Sequence, residues 1–123
     1  MIDIAAVLGF GFLGACLRHV LSTVISSRIG GSFPSGIFVV NMTGSFALGL
    51  LTGLAVKEAW PAWVATGLGV GAIGAYTTYS TWANDSVNLW RNGRRVSAVV
   101  NVAGSIVLGV ALATLGIAVA NVL

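Results

Sequence analysis

The residues of this chain that could do chemistry are uncharged hydrogen-bond donors placed within apolar segments. They are Asn41, Ser45, Thr77, Thr78, Ser80 and Ser105. Aromatic rings, whose edges are electropositive, stand beside several of them. Donors and ring edges without a fixed negative charge indicate a path for a small anion. For a strongly hydrated anion, such groups must replace the lost water at each step without binding the ion too tightly.

Other chemistries lack the residues that they need. The sequence has no pair of carboxylates within an apolar segment, no set of cysteine and histidine ligands, and no nucleophile beside a base. A proton-coupled exporter normally needs an ionisable carboxylate within a span, but Asp3 is at the chain start, Glu58 is in a loop and Asp85 is near a helix end. The basic residues form no face for nucleic acid. We therefore expect neither an enzyme nor a nucleic-acid-binding protein.

The composition is that of an integral membrane protein, with 57% hydrophobic and 7% charged residues. Four apolar segments, at about 4–25, 36–56, 61–90 and 96–123, are each long enough to cross a bilayer as a helix. The sequence therefore predicts an all-α membrane protein with one transmembrane domain over 1–123. We expect it to be a multi-pass protein of a plasma (inner) membrane, surrounded by membrane lipid.

The segment 67–82, GLGVGAIGAYTTYSTW, is the one that the other segments must position. Its glycines lower helix stability and let another backbone approach closely, and its hydroxyls can bond to freed backbone groups. We expect a transmembrane helix broken near 74–80. The groups that the break frees survive in a bilayer only when buried in protein, bound to an ion or lining a wet cavity. The alternative is a continuous, tightly packed helix whose hydroxyls bond back to its own carbonyls.

Three polar residues have two interpretations each. Asn41 either lines a pore or joins helices, because an amide within hydrocarbon must find partners inside the protein. Arg18 either extends to the membrane interface or faces a vestibule, where it attracts an anion. Asp85 is either a solvated helix end or a vestibule acid.

Along essentially its full length the chain resembles the Fluc (CrcB) family of fluoride channels. The matching segments are GFLGACLRH at 11–19, PSGIFVVNMTGSFALG at 34–49, GAIGAYTTYSTW at 71–82 and GSIVLG at 104–109. The second and third are specific to that family in combination. The resemblance implies an antiparallel, dual-topology-type dimer of four-helix subunits with a broken third helix and two separate fluoride pathways.

The resemblance also implies roles for individual residues. A structural sodium ion (Na+) at the dimer centre would be held by the backbone carbonyls of Gly74 and Thr77. Arg18 and Asp85 would stand in a vestibule. The fluoride pathway would be formed by a pore amide, two ring positions and hydroxyls: Asn41, Tyr79, Ser80, Trp82 and Ser105.

The chain departs from the family pattern at both ring positions. The family usually has phenylalanines in its TTFSTF motif, where this chain has Tyr79 and Trp82. Each ring still presents a positive edge, but the added hydroxyl or indole N–H changes the shape and polarity of a tight passage.

The function that the sequence predicts is passive, fluoride-selective conduction that exports cytoplasmic fluoride. The alternatives are a small four-helix drug or cation exporter, which the missing membrane carboxylate disfavours, and a structural membrane subunit that does not conduct.

The basic residues also predict an orientation. Four spans place both termini and the loop with Lys57 on one side, and Arg28, Arg91, Arg94 and Arg95 on the other. Cytoplasmic loops carry the excess of Lys and Arg, so we expect the termini outside the cytoplasm. A dual-topology homodimer needs nearly equal insertion both ways, so this bias favours a homologous partner subunit over pairing of the chain with itself.

Overall fold

A computed structural model describes residues 2–123, with side chains from Asp3 onward, and every regular element in this part of the chain is helical. Three long helices are α1 (Ile2–Ile29), α2 (Ser35–Lys57) and α6 (Arg95–Val122). Between α2 and α6 lie shorter pieces: α3 (Ala62–Thr66), a π-helical segment (Gly67–Ile73), α4 (Gly74–Tyr76) and α5 (Tyr79–Arg91). The described chain is therefore all-α, as predicted.

Three helices are long and apolar enough to cross a membrane: Asp3–Ile29, Ser35–Lys57 and Arg95–Val122. They coincide with the predicted first, second and fourth spans. The helix that contains the predicted first span, 4–25, continues beyond it to Ile29, and the connection to α2 is 30–34. The helix ends at Ile29, and the next residue, Gly30, has a φ of 66°, the left-handed conformation that glycine adopts most easily after a helix.

The predicted third span, 61–90, contains the helical pieces α3 to α5. Thr77 (φ −78°, ψ 162°) and Thr78 (φ −147°, ψ 127°) are extended, so the helical backbone is interrupted between Tyr76 and Tyr79. We call Thr77 and Thr78 the interruption. None of the three helices of membrane-crossing length lies in this part of the described chain. That the segment crosses the membrane stays a prediction.

Small residues let the helices pack with their backbones in contact. A Cβ atom at Gly49 of α2 would collide with the carbonyl of Ala113 in α6, and one at Gly116 with the carbonyl of Phe46. The π-helical segment meets α1 in the same way, because a Cβ at Gly14 would collide with the carbonyl of Ala72. Such close approach is typical of helix pairs in membranes.

Polar and apolar side chains are distributed in the opposite way to those of a water-soluble protein. Asn101 of α6 is 1% exposed, and Ser35, Ser86 and Thr78 are also buried. Many large apolar side chains lie on the outside of the chain, among them Leu8, Phe12, Leu13, Val99, Ile106, Val107 and Val110. An apolar exterior suits lipid or another apolar helix surface better than water.

Candidate functional site: a polar groove beside the interruption

The interruption lies beside an open groove of about 570 Å³ between α2, α5 and α6. Four of the five residues predicted for a fluoride pathway line this groove, although they come from three helices. The lining residues are Asn41, Met42, Gly44, Ser45, Leu48, Thr77, Thr78, Tyr79, Trp82, Ser105 and Ile106. The groove therefore brings together uncharged donors and two aromatic rings, and none of its lining residues is charged.

Two side chains of α2 bond to the interruption or to the residue before it. The Oδ1 atom of Asn41 accepts a hydrogen bond from the Thr78 N–H at 2.9 Å, and Asn41 Nδ2 donates to the Thr78 carbonyl at 3.0 Å. The hydroxyl of Thr43 lies 2.8 Å from that of Tyr76, the last residue of α4. Asn41 thus joins α2 to the interruption and also lines the groove. Its amide nitrogen has two protons, and Thr78 accepts only one of them, so the other is free to donate.

The carbonyls at the end of α4 have lost their ordinary partners. In a continuous helix the Thr78 N–H would donate to the carbonyl of Gly74, but here it donates to Asn41. The carbonyl of Thr77 accepts a hydrogen bond of 3.4 Å from Arg18 Nη1, which is long for an N–H···O bond. Carbonyls at the C-terminal end of a helix carry partial negative charge, so this end of the interruption favours a cation.

Arg18 is half-buried on α1 and reaches the interruption from the side of α1. It does not line the groove. Its contact with the Thr77 carbonyl satisfies one acceptor that the interruption frees, and this contact was not anticipated from the sequence.

The two aromatic rings that depart from the family pattern differ in their surroundings. Their centroids are 5.3 Å apart at an interplanar angle of 45°. Tyr79 is 78% exposed. Trp82 is partly buried, and its Nε1 donates to the backbone oxygen of Asn101 at 3.1 Å. Because the indole N–H is bonded to α6, the part of the Trp82 ring left for the groove is its C–H edge.

The other predicted residues divide between the groove and places outside it. Ser105 lines the groove, and its Oγ is buried without a partner among the described residues. Ser80 is exposed at the start of α5, 3.5 Å from the Thr78 hydroxyl, and does not line the groove. Asp85 lies in a separate cleft of about 130 Å³ with Asn88 and Arg94.

Sequence reasoning did not assign a role to Asn101 or Ser86. Asn101 Nδ2 donates to Ser86 Oγ at 2.9 Å, and Ser86 Oγ donates to the backbone oxygen of Trp82 at 2.8 Å. The signal was present in the sequence, since Asn101 is an amide in the middle of an apolar helix and Ser86 follows Trp82 by one helical turn.

Apolar helices around a groove of uncharged donors define a small helical membrane protein with a polar groove. The chain belongs to the CrcB-like family: the family model described as "CrcB-like protein, Camphor Resistance (CrcB)" matches residues 5–117. The family expected from the sequence motifs is therefore confirmed.

Curated relatives resemble the chain over most of its length. One from Symbiobacterium thermophilum, named fluoride-specific ion channel FluC 1, is 46% identical over 110 residues, which are 88% of this chain and 89% of the relative. One from Mycobacterium tuberculosis (strain ATCC 25618 / H37Rv), named fluoride-specific ion channel FluC 2, is 41% identical over 106 residues, 86% of this chain and 81% of the relative. One from Frankia casuarinae, named FluC 1, is 41% identical over 113 residues, 88% of each chain. These relatives are named as ion channels, so the family is not one of enzymes.

Proposed function

We propose that the chain forms a passive fluoride channel and that the groove is one wall of its ion pathway. The observation that carries the proposal is the convergence of Asn41, Tyr79, Trp82 and Ser105 on one groove. The relatives' names indicate the ion, and the groove offers the chemistry that this ion needs.

Fluoride is small and strongly hydrated, so a pathway must supply donors in place of water. The second Nδ2 proton of Asn41 and the hydroxyl of Ser105 are such donors. The C–H edges of Tyr79 and Trp82 add weaker positive surface. Because every one of these groups is neutral, an anion is attracted at each step without being trapped by a full charge.

Ser80 has a different place in this proposal. It is exposed at the first turn of α5, where helix N–H groups and the positive end of the helix dipole lie. Its hydroxyl would meet the anion at the mouth of the pathway, beyond the groove. Arg18 and Asp85 would act further out, as vestibule residues.

The carbonyls of Gly74 and Thr77 fit the sodium site that the family resemblance implies. Carbonyl oxygens are hard ligands of the kind that alkali cations prefer, and the Gly74 carbonyl has lost its helical donor to Asn41. Bound sodium would supply fixed positive charge that holds the carbonyl end of the interruption in place. Arg18 would compete with sodium for the Thr77 carbonyl oxygen, but its hydrogen bond of 3.4 Å is long and therefore weak.

The membrane arrangement follows from the open shape of the groove. We propose that 61–90 crosses the membrane as a helix broken at the interruption, supported by the two bonds from Asn41 that satisfy the freed backbone groups of Thr78. One subunit provides a groove and not a closed pore, so a second, antiparallel subunit would complete the pathway. The arginine bias favours a homologous partner over a second copy.

Export requires no coupled energy source. HF enters a cell from acidic surroundings and dissociates inside, so fluoride accumulates in the cytoplasm. An open passive channel then lets it leave down its own gradient.

The test is fluoride efflux from liposomes that contain the purified protein, with chloride-loaded liposomes as the matched control. Rapid fluoride efflux without chloride efflux is the expected result. Drug or cation transport without fluoride efflux would favour the exporter. Absence of any flux, from the chain alone and from the chain co-expressed with a homologue, would favour a structural subunit.

A further inference from the structure

A closed set of hydrogen bonds joins α5 to α6 beside the groove. Trp82 Nε1 donates to the backbone oxygen of Asn101 at 3.1 Å, and Asn101 Nδ2 donates to Ser86 Oγ at 2.9 Å. Ser86 Oγ then donates to the backbone oxygen of Trp82 at 2.8 Å. We call these three bonds the tryptophan circuit, because they begin at the ring of Trp82 and end at its backbone.

The circuit connects a buried anchor with a wall of the groove. Asn101 is 1% exposed and Ser86 is 8% exposed, so both polar groups are withdrawn from solvent. Hydrogen bonds in such surroundings strengthen one another and restrict motion. Trp82, the third member, lines the groove. The bonds at Asn101 therefore restrict the motion of the indole ring, which forms part of the groove wall.

We propose that Asn101 and Ser86 are positioning residues for Trp82. They fix the ring so that its N–H is used within the protein and its C–H edge is presented to the groove. An indole free to rotate would turn its N–H towards the ion and offer a stronger donor than the C–H edge, which would change how strongly the anion is held at this step. The consequence for conduction rests on the proposed fluoride pathway, whereas the position of the ring does not.

Within the part of the chain that the structure describes, the side chain of Asn101 makes one hydrogen bond, through its nitrogen, and its oxygen makes none. A variant at this residue can therefore separate an effect on the position of the ring from an effect on stability. Asn101 Oδ1 is buried and accepts no hydrogen bond from the described residues. Removing one partner of a buried hydrogen bond costs most when the other partner keeps no bond at all. In Asn101→Leu, the Ser86 hydroxyl loses the donor on Asn101 but still donates to the Trp82 carbonyl. We therefore expect this variant to stay folded, with a modest loss of thermal stability, while the ring loses its fixed position.

The experiment follows the Trp82 indole N–H by hydrogen exchange, using ¹⁵N-labelled protein in which Trp60, Trp63 and Trp90 are replaced by phenylalanine. Asn101→Leu keeps the backbone oxygen that accepts from the indole N–H and removes only the side-chain bond that holds α6 to Ser86 of α5. If that bond keeps the ring within reach of the backbone oxygen, exchange should be about tenfold faster than in the parent, because the closed arrangement has lost one hydrogen bond of ordinary strength. The matched control is Asn121→Leu, the same change at an exposed position of the same helix. An unchanged exchange rate in Asn101→Leu overturns the proposal.

A second pair of variants keeps the test decisive if Asn101→Leu does not fold. Ser86→Ala removes the link to Asn101, whereas Ser86→Thr keeps the hydroxyl. Exchange and fluoride efflux should both change in Ser86→Ala and return towards the parent values in Ser86→Thr. Thr114→Val, which removes a similar hydroxyl bond from an exposed turn of α6, should change neither. Equal behaviour of the two Ser86 variants would overturn the proposal.

The two readouts separate this inference from the proposed function. Fluoride efflux that is absent from the parent protein, with indole exchange that still responds to Asn101 and Ser86, would refute the channel and support the tryptophan circuit. Normal efflux, with an indole exchange rate that none of the variants changes, would support the channel and refute the positioning role of Asn101 and Ser86.

Discussion

The side-chain amide of Asn41 bonds to both backbone groups of Thr78, 37 residues further along the chain. It replaces the two hydrogen bonds that Thr78 would make within a continuous helix. A single side chain on one helix thus stabilises extended backbone in another, and it does so at the edge of the groove.

Substitution of Asn41 by aspartate tests this relationship. Asn41→Asp should abolish fluoride flux, because a carboxylate places negative charge in an anion pathway and cannot donate to the Thr78 carbonyl. We expect the assembly to persist with a loss of about 1–3 kcal/mol in the free energy of unfolding. Flux from purified protein in liposomes measures the first effect and thermal unfolding the second. Asn121→Asp is the control, and parental flux in well-assembled Asn41→Asp would remove Asn41 from the pathway.

Sodium should stabilise the protein where potassium does not. The proposed carbonyl site at Gly74 and Thr77 would discriminate between the two cations by size and field. Unfolding temperature measured in sodium and in potassium salts of equal concentration gives the comparison, and a sodium-dependent rise is expected. Equal unfolding temperatures in the two salts would contradict a structural sodium site.

The two unusual rings should respond differently to phenylalanine. Tyr79 is largely exposed, so Tyr79→Phe should change the free energy of unfolding by less than about 0.5 kcal/mol. Trp82→Phe removes the hydrogen bond to Asn101 and should lower it by about 1 kcal/mol. Chemical unfolding of the two variants beside the parent makes the comparison. Equal losses would show that the indole N–H does not distinguish the two sites.

Backbone contact between α2 and α6 predicts a strong effect at one glycine. Gly49→Ala should destabilise the protein by about 1–3 kcal/mol, because the added Cβ collides with the carbonyl of Ala113. Gly9→Ala is the matched control, since a Cβ there meets nothing within 4 Å. Both variants are compared by unfolding in detergent. Equal free energies of unfolding for Gly49→Ala and Gly9→Ala would show that α2 and α6 can move apart at Gly49 without loss of stability.

Orientation is tested by labelling a cysteine near the C-terminus. In Leu123→Cys, built on a Cys16→Ser background because Cys16 is exposed, the new thiol should be labelled from outside intact cells. Arg28→Gln is a useful comparison, because it reduces the arginine bias without touching the turn 92–94. Comparable labelling of Leu123→Cys from both sides would contradict a single orientation and favour an antiparallel homodimer.

Length, hydropathy and glycine spacing were enough to predict the three long helices, because these features depend on local sequence. The helix continues past the predicted end of the first span, since Ser26, Ser27 and Arg28 are polar but do not break a helix. It ends at Ile29, before Gly30 with its positive φ. Motif resemblance had assigned four of the eleven residues that line the groove to a fluoride pathway: Asn41, Tyr79, Trp82 and Ser105.

What sequence reasoning could not predict are the pairings between distant residues. Asn41 was recognised as a buried amide, but its partner Thr78 follows only from how α2 packs against the interruption. The Arg18 contact with Thr77 and the bond from Trp82 to the Asn101 backbone have the same origin. Every residue has a backbone carbonyl, so the type of the accepting residue does not indicate that it will accept such a bond. These contacts can be identified only from the three-dimensional structure.

The interruption also has a consequence for how the protein meets changes of acidity. It places the negative end of α4 and the positive end of α5 next to each other, and both partial charges belong to peptide groups that neither gain nor lose protons between acid and alkaline conditions. The partial charges of these peptide groups would therefore stay the same in a cell that entering HF has acidified, when fluoride has to leave.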